Sequence, residues 1–277
     1  MENGTYALAL PKGWDGRAAL PALVFFHGYG SSAGATLRRD DLRAELDRRG
    51  WLLIAPNGLV PPGRGRTSWS HEGSPSRTRD EAAFTHAVLG DVAERLPLDR
   101  GRVFVGGFSQ GSSMAWHLAC LDAAPYAGFV ALSGAFWDPM PEDCPAPPRR
   151  LVHFHGLTDH TVPLEGRPIG GRFRQSDAFA SLAVLRRSWG CPSMPDGMTV
   201  AGGLRCRTWP ACGRGGALRF CLHDGGHEAP KGWAKEAFDW LEGDQVDAPR
   251  PPHGDKDPHP QTDPTAARTP GAAARAR

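Results

Sequence analysis

One serine in this chain stands where its hydroxyl could act as a nucleophile. Ser109 lies in Gly107-Phe108-Ser109-Gln110-Gly111, between an apolar run over 103–106 and a helical pattern over 112–121. A serine on a strand-to-helix turn is lifted clear of the sheet, and glycines two residues to either side avoid a collision of side chains there. The same turn leaves backbone N–H groups at a helix N-terminus, where they can bind the oxyanion that forms when a hydroxyl attacks a carbonyl. A plain glycine turn with serine capping the helix is the competing reading.

A serine hydroxyl needs a base, and the base needs an orienting acid, in the chain order Ser, acid, His. Asp159 follows the apolar run over 151–155 in Gly156-Leu157-Thr158-Asp159. That location is the carboxyl edge of a late strand, the edge from which the serine also emerges. Asp138, Asp143 and Asp177 are weaker rivals because none closely follows a strand. His227, after Gly225-Gly226, sits on a flexible loop that can reach over the sheet edge, whereas His223 belongs to a strand end. The second oxyanion donor should come from the loop after an early strand, and His27-Gly28-Tyr29-Gly30 supplies one. The amides of Tyr29 and Gln110 are the candidate pair, and His27 is read as holding the loop. Trp69 and Trp137 are candidates for a substrate pocket, with core packing as the alternative.

Such a constellation needs a sheet to hold it. Strand patterns fall over 6–10, 23–27, 51–55, 103–106, 129–132 and 151–155, and helical spacing over 37–49, 80–96, 112–121 and 175–189. Near-continuous apolar strands alternating with amphipathic helices imply an α/β fold with a mostly parallel sheet covered on both faces. Residues 206–209 and 218–222 flank a glycine-rich turn and read as a hairpin, with a last helix over 231–241. The segment 244–277 has seven prolines, no aromatic residue and one large aliphatic, Val246, so it reads as a disordered tail to a catalytic domain over 1–243. The net charge of +2 over 277 residues argues against nucleic acid as a partner, and no apolar run reaches membrane-spanning length. Six cysteines lean toward disulfides and an oxidising compartment, yet the N-terminus lacks the pattern of a signal peptide. The pairing is left open by the count, and a cytoplasmic enzyme with six reduced thiols is the alternative.

The set His27–Gly30, Gly107–Gly111, His155-Gly156-Leu157-Thr158-Asp159 and Gly225-Gly226-His227, with Arg79–Phe84 and Gly170–Asp177, resembles the poly(3-hydroxybutyrate) depolymerase and feruloyl esterase family of α/β-hydrolase-fold serine esterases. The resemblance spans about residues 5–242 and implies that Ser109, Asp159 and His227 form a triad, with no metal or organic cofactor. It implies a hydroxyalkanoate ester or oligoester as substrate, the alternative being a feruloyl or acetyl carbohydrate ester or a general carboxylic ester. Family members that attack solid polymer usually add a substrate-binding domain; only the aromatic-free tail follows here. The family's habit of secretion implies an exported, disulfide-bonded enzyme, secreted or periplasmic, with pairs Cys120–Cys144, Cys191–Cys212 and Cys206–Cys221.

Two other classes compete. His153, His155, Asp159 and His160 crowd together much as in the H-x-H-x-D-H zinc signature of metallo-β-lactamase-like hydrolases, but the spacing to Asp159 fails, and His153 and His155 alternate as packed strand residues do. A non-catalytic binding protein on the same fold would usually show a broken elbow or triad, and neither is broken here.

Overall fold

A computed structural model describes residues 4–243, and the segment read above as a disordered tail lies outside those residues. Eleven strands occur in chain order among the described residues: β1 (Tyr6–Ala9), β2 (Leu20–Phe26), β3 (Leu52–Pro56), β4 (Leu98–Phe108), β5 (Gly128–Leu132), β6 (Arg150–Gly156), β7 (Arg167–Ile169), β8 (Phe173–Gln175), β9 (Gly197–Ala201), β10 (Leu204–Trp209) and β11 (Ala217–His223). The helices are α1 (Ala33–Leu37), α2 (Asp40–Arg49), α3 (Glu81–Arg95), α4 (Gln110–Leu121), α5 (Ala178–Ser188) and α6 (Trp233–Glu242).

Nine strands form one sheet in the order β1-β3-β2-β4-β5-β6-β11-β10-β9. The six central strands from β3 to β11 pair in parallel, while β1 joins one edge and β10 and β9 the other in antiparallel register. The parallel strands are the ones whose residues read as continuous apolar runs, because helices cover them on both sides. Alternation along each strand divides the core. Leu23 and Phe25 of β2 pack with Phe104, Val130, Val152 and Phe154 beneath α2 and α6. Ala22, Val24 and Phe26 face the other way, with Val103, Val105, Phe129 and Leu151 beneath α3, α4 and α5.

Helix α4 is buried from Gln110 to Cys120. Its small residues, Gly111, Ser112, Ser113, Ala115 and Ala119, let it lie close against the sheet centre. Helix α6 buries only a stripe, Trp233, Ala234, Ala237, Phe238 and Leu241, at the spacing of one helix face. The helix expected over 37–49 starts only at Asp40, because Arg39 takes extended backbone (φ −77°, ψ 98°) and separates α2 from the short α1 that ends at Leu37.

Three disulfides join Cys120–Cys144, Cys191–Cys212 and Cys206–Cys221, the pairs the resemblance implied. The last crosses the β10–β11 hairpin between residues directly opposite in register. All three lie from α4 onward, and none ties β1 to β4. No helix among the described residues is long and apolar enough to cross a membrane.

Candidate active site

Ser109 stands between the end of β4 and the start of α4 with φ +58° and ψ −121°. That conformation is unfavourable for a residue with a side chain, and its surroundings hold it there. The Ser109 N–H donates to the Leu132 carbonyl at the end of β5 (2.8 Å), and its carbonyl accepts the Ser113 N–H (3.1 Å). A Cβ at Gly107 would lie 2.1 Å from the Gly111 carbonyl oxygen, and one at Gly111 only 2.0 Å from that of Phe26. The turn therefore closes only with glycine at both places, which accounts for the motif sterically.

The Ser109 Oγ lies 2.9 Å from His227 Nε2, and His227 Nδ1 lies 2.8 Å from Asp159 Oδ2. Asp159 takes the Nδ1 proton as its hydrogen bond, which leaves Nε2 as acceptor for the serine hydroxyl. The second carboxylate oxygen, Oδ1, accepts the N–H groups of Thr161 (2.9 Å) and Val162 (2.8 Å). Burial pushes the Asp159 carboxyl up, but the bonds from His227 and from Val162 outweigh it, and the group ends below the usual carboxylate value. The loops bearing acid and base are sewn together by backbone bonds from Leu157 to His223 (2.8 Å) and from Thr158 to Gly225 (3.1 Å).

Behind the acid loop runs a buried line of rings. Trp116 Nε1 on α4 lies 3.2 Å from His153 Nδ1, His153 Nε2 lies 3.0 Å from His155 Nδ1, and His155 Nε2 lies 2.7 Å from the Val162 carbonyl. Both histidines are fully buried, and that burial drives their pKa down, His153 well below the ordinary value. The line ties the helix that begins at the serine to the loop that carries the acid.

The rival residues are accounted for. His223 accepts the Gly225 N–H (3.1 Å) at the root of the His227 loop. Asp177 caps α5 by accepting the Ala180 N–H (2.8 Å), Asp138 accepts the Ser176 hydroxyl, and Asp143 is held by Ser188. His160 is exposed, and among the described residues no group of three or more His, Cys, Asp or Glu is placed to hold a metal ion.

His27, at the end of β2, is buried with Nδ1 2.8 Å from the Gly28 carbonyl and Nε2 accepting the Gly58 N–H (3.0 Å). Burial lowers its pKa, so it is a neutral strut for the loop that presents Tyr29. Tyr29 lines the same cavity as Ser109, and Gln110 follows the serine as the first residue of α4, where its N–H has no partner inside the helix. The Gln110 side chain turns inward to Ser68, with Nε2 2.8 Å from its Oγ.

Trp69 and Trp137 follow the alternative, core packing, and do not line the cavity at Ser109. Trp69 is fully buried, edge-on to Phe26, and donates from Nε1 to the His27 carbonyl (2.7 Å). Its ring props up the loop from beneath. Trp137 is likewise buried, donates to the Ser113 hydroxyl (3.3 Å) and packs against His71. The cavity that opens at Ser109 and His227, about 430 Å³, is walled instead by Phe25, Ala35, Thr36, Arg39 and Phe108. Arg39 was missed because one helix was read through 37–49, which hides the break before α2. The Arg38-Arg39 pair shortly after the H-G-x-G loop was the available signal.

A nine-stranded, mostly parallel sheet with a serine on a strand-to-helix elbow and an aspartate and histidine on later loops defines the α/β-hydrolase class. The chain belongs to the phospholipase/carboxylesterase family, whose model matches residues 15–168, and thus to the α/β-hydrolase ester hydrolases. It is 26% identical over 244 residues to feruloyl esterase C of Emericella nidulans, covering 82% of this chain and 77% of that one. Over 236 residues it is 23% identical to a bifunctional acetylxylan esterase/xylanase of Neocallimastix patriciarum, covering 83% of this chain and 32% of that larger protein. The fold resembles that of acetyl xylan esterase from Aspergillus awamori, with a TM-score of 0.61, 14% identity and coverage of 85% of this chain and 93% of that one.

Proposed function

We propose that the protein is a serine carboxylic ester hydrolase that works through an acyl-enzyme and takes small acyl esters of carbohydrates, of the feruloyl or acetyl kind. The observation that carries this reading is the unbroken hydrogen-bonded line from Ser109 through His227 to Asp159 on a strained strand-to-helix turn. His227 Nε2 takes the Ser109 proton as Oγ attacks the ester carbonyl, and the carbonyl oxygen, now an anion, is received by the Tyr29 and Gln110 N–H groups. His227 returns the proton to the departing alcohol. Water then attacks the acyl-enzyme by the same route, releasing the acid and restoring the serine. Asp159 keeps the imidazole in the tautomer that can accept from Ser109 and steadies the imidazolium that forms.

The carbohydrate ester rests on the relatives named as feruloyl and acetylxylan esterases, which favour it over the hydroxybutyrate polymer. Three disulfides support an oxidising compartment such as the cell exterior or periplasm. A panel of methyl ferulate, acetylated xylan and a hydroxybutyrate trimer, read as kcat/KM, tests the substrate. Turnover of the first two should exceed that of the trimer, and the opposite order returns the assignment to hydroxyalkanoates. Labelling of Ser109 by a fluorophosphonate tests the serine independently.

Asp159→Asn should lower kcat about 10⁴-fold, because the amide favours the wrong imidazole tautomer. It should also alter acid stability. The folded carboxyl titrates below its ordinary value of 3.8, so its contribution is present above that pH and fades as pH falls through the folded value. Melting curves of the Asn variant should therefore lose part of the steep decline that the parent shows below about pH 4.

A further inference from the structure

Arg39 introduces a charge into a cavity whose other walls are largely apolar. The guanidinium carbon lies 5.6 Å from the Phe108 ring centre and 5.9 Å from that of Phe25. Phe108 in turn lies 4.8 Å, centre to centre, from the His227 imidazole. One aromatic ring thus separates the cation from the base, and both line the same cavity as Ser109.

The charge is poorly spent within the chain. Arg39 Nε is buried and has no hydrogen-bond partner among the described residues. The nearest carboxylate, Asp41, is 3.6 Å from one terminal nitrogen, beyond hydrogen-bond reach, and is 47% exposed. Asp41 is also engaged by the Trp233 indole N–H at 2.6 Å. Nor does Arg39 serve its own helix: at the start of α2 it makes no side-chain capping bond. A guanidinium stays protonated at any working pH, and its forked N–H groups match the two oxygens of a carboxylate. Nε is closed off, but the side chain is 27% exposed and lines the cavity, so the terminal N–H groups are the part of the guanidinium open to a ligand that supplies the acceptor.

We propose that Arg39 is a specificity-determining residue that selects esters bearing a carboxylate a short distance from the scissile carbonyl. In carbohydrate esters this means an acidic sugar or a dicarboxylic acyl group. The proposal rests on the reading of Ser109 as the nucleophile of an ester hydrolase. Phe25 and Phe108 flank the guanidinium, whose side chain stays 27% exposed, and the apolar rings on that side strengthen its pairing with an incoming anion.

Two pairs of esters matched in size test it. A p-nitrophenyl hemisuccinate against its methyl ester places the carboxylate on the acyl side, and O-butyryl glycolate against its methyl ester places it on the alcohol side. The measured quantity is the charged-to-neutral ratio of kcat/KM. Arg39→Gln should lower that ratio about tenfold for the arm whose carboxylate reaches the cation, and Arg39→Lys should keep most of it. The parent's ratio should also fall as salt is raised. If both ratios are the same in the parent and in Arg39→Gln while the neutral esters turn over, Arg39 has no such role. If the parent cleaves no ester of either pair, the ester-hydrolase reading fails and takes the specificity with it.

Discussion

Replacing Ser109 by alanine is expected to lower kcat on a neutral p-nitrophenyl ester about 10⁶-fold while leaving the unfolding transition in place. In the proposed mechanism the hydroxyl oxygen bonds to the acyl carbon, so its loss would remove the covalent route rather than slow it. The proposed oxyanion donors, the Tyr29 and Gln110 N–H groups, would remain, which should leave a residue of activity above that of water alone. His227→Ala should cost nearly as much, and the double variant scarcely more, because the two side chains act as one device. Steady-state rates on the purified variants, with a denaturation curve for each, decide the matter. A Ser109→Ala protein that keeps more than about a hundredth of the parent's rate excludes this serine as the nucleophile.

Arg79→Met should cost about 3–5 kcal/mol of stability, the largest effect expected away from the reacting atoms. Arg79 and Glu81 form an ion pair at 2.7 Å with both side chains almost wholly out of water, 3% and 0% exposed. Burial pushes the Glu81 carboxyl above its ordinary value, and the neighbouring Arg79 draws it back only in part. The pair is the clasp of the 68–81 strap. Glu81 accepts the Ser70 N–H (3.1 Å), and Arg79 donates to the Asn57 carbonyl (3.0 Å) while its guanidinium lies 3.6 Å from the Phe84 ring centre. Removing Arg79 strands a carboxylate that has no water to turn to. Urea unfolding should show the loss, with Tm lower by about 10 °C. Arg79→Met with Glu81→Leu should regain most of it, since the penalty belongs to the orphaned charge. If the single and double variants are equally unstable, the clasp owes its strength to packing.

The features legible in the sequence were those that local sterics dictate. The elbow glycines, the apolar strands and the order Ser109, Asp159, His227 each follow from constraints within a few residues or from chain order. The hairpin was legible too, since a glycine-rich turn separates its two strand patterns, which pair as β10 and β11. Features that depend on packing at a distance were not. Trp69 and Trp137 are large aromatics in loops, and only the tertiary structure decides whether such a ring faces a cavity or props a neighbouring loop. Arg39 was hidden because helical spacing continues through 37–49 even where the backbone breaks. Strand β9, exposed at all five positions, buries no side chain and so leaves no apolar alternation to read.

The line of rings from Trp116 to Val162 has fixed chemistry at its two ends. An indole N–H can only donate and a peptide carbonyl can only accept. Between those ends there is a single way to place the protons: each of His153 and His155 carries its hydrogen on Nε2 and spends its Nδ1 lone pair on the ring before it. Neither imidazole then has an electron pair left for a cation or an empty site for a proton. The two strand histidines of the segment that looked most like a metal centre, His153 and His155, are therefore chemically silent, a rigid insulated spacer between the helix that follows Ser109 and the loop that carries Asp159. Of the histidines crowded around Asp159, His227 alone keeps a lone pair directed at the Ser109 hydroxyl.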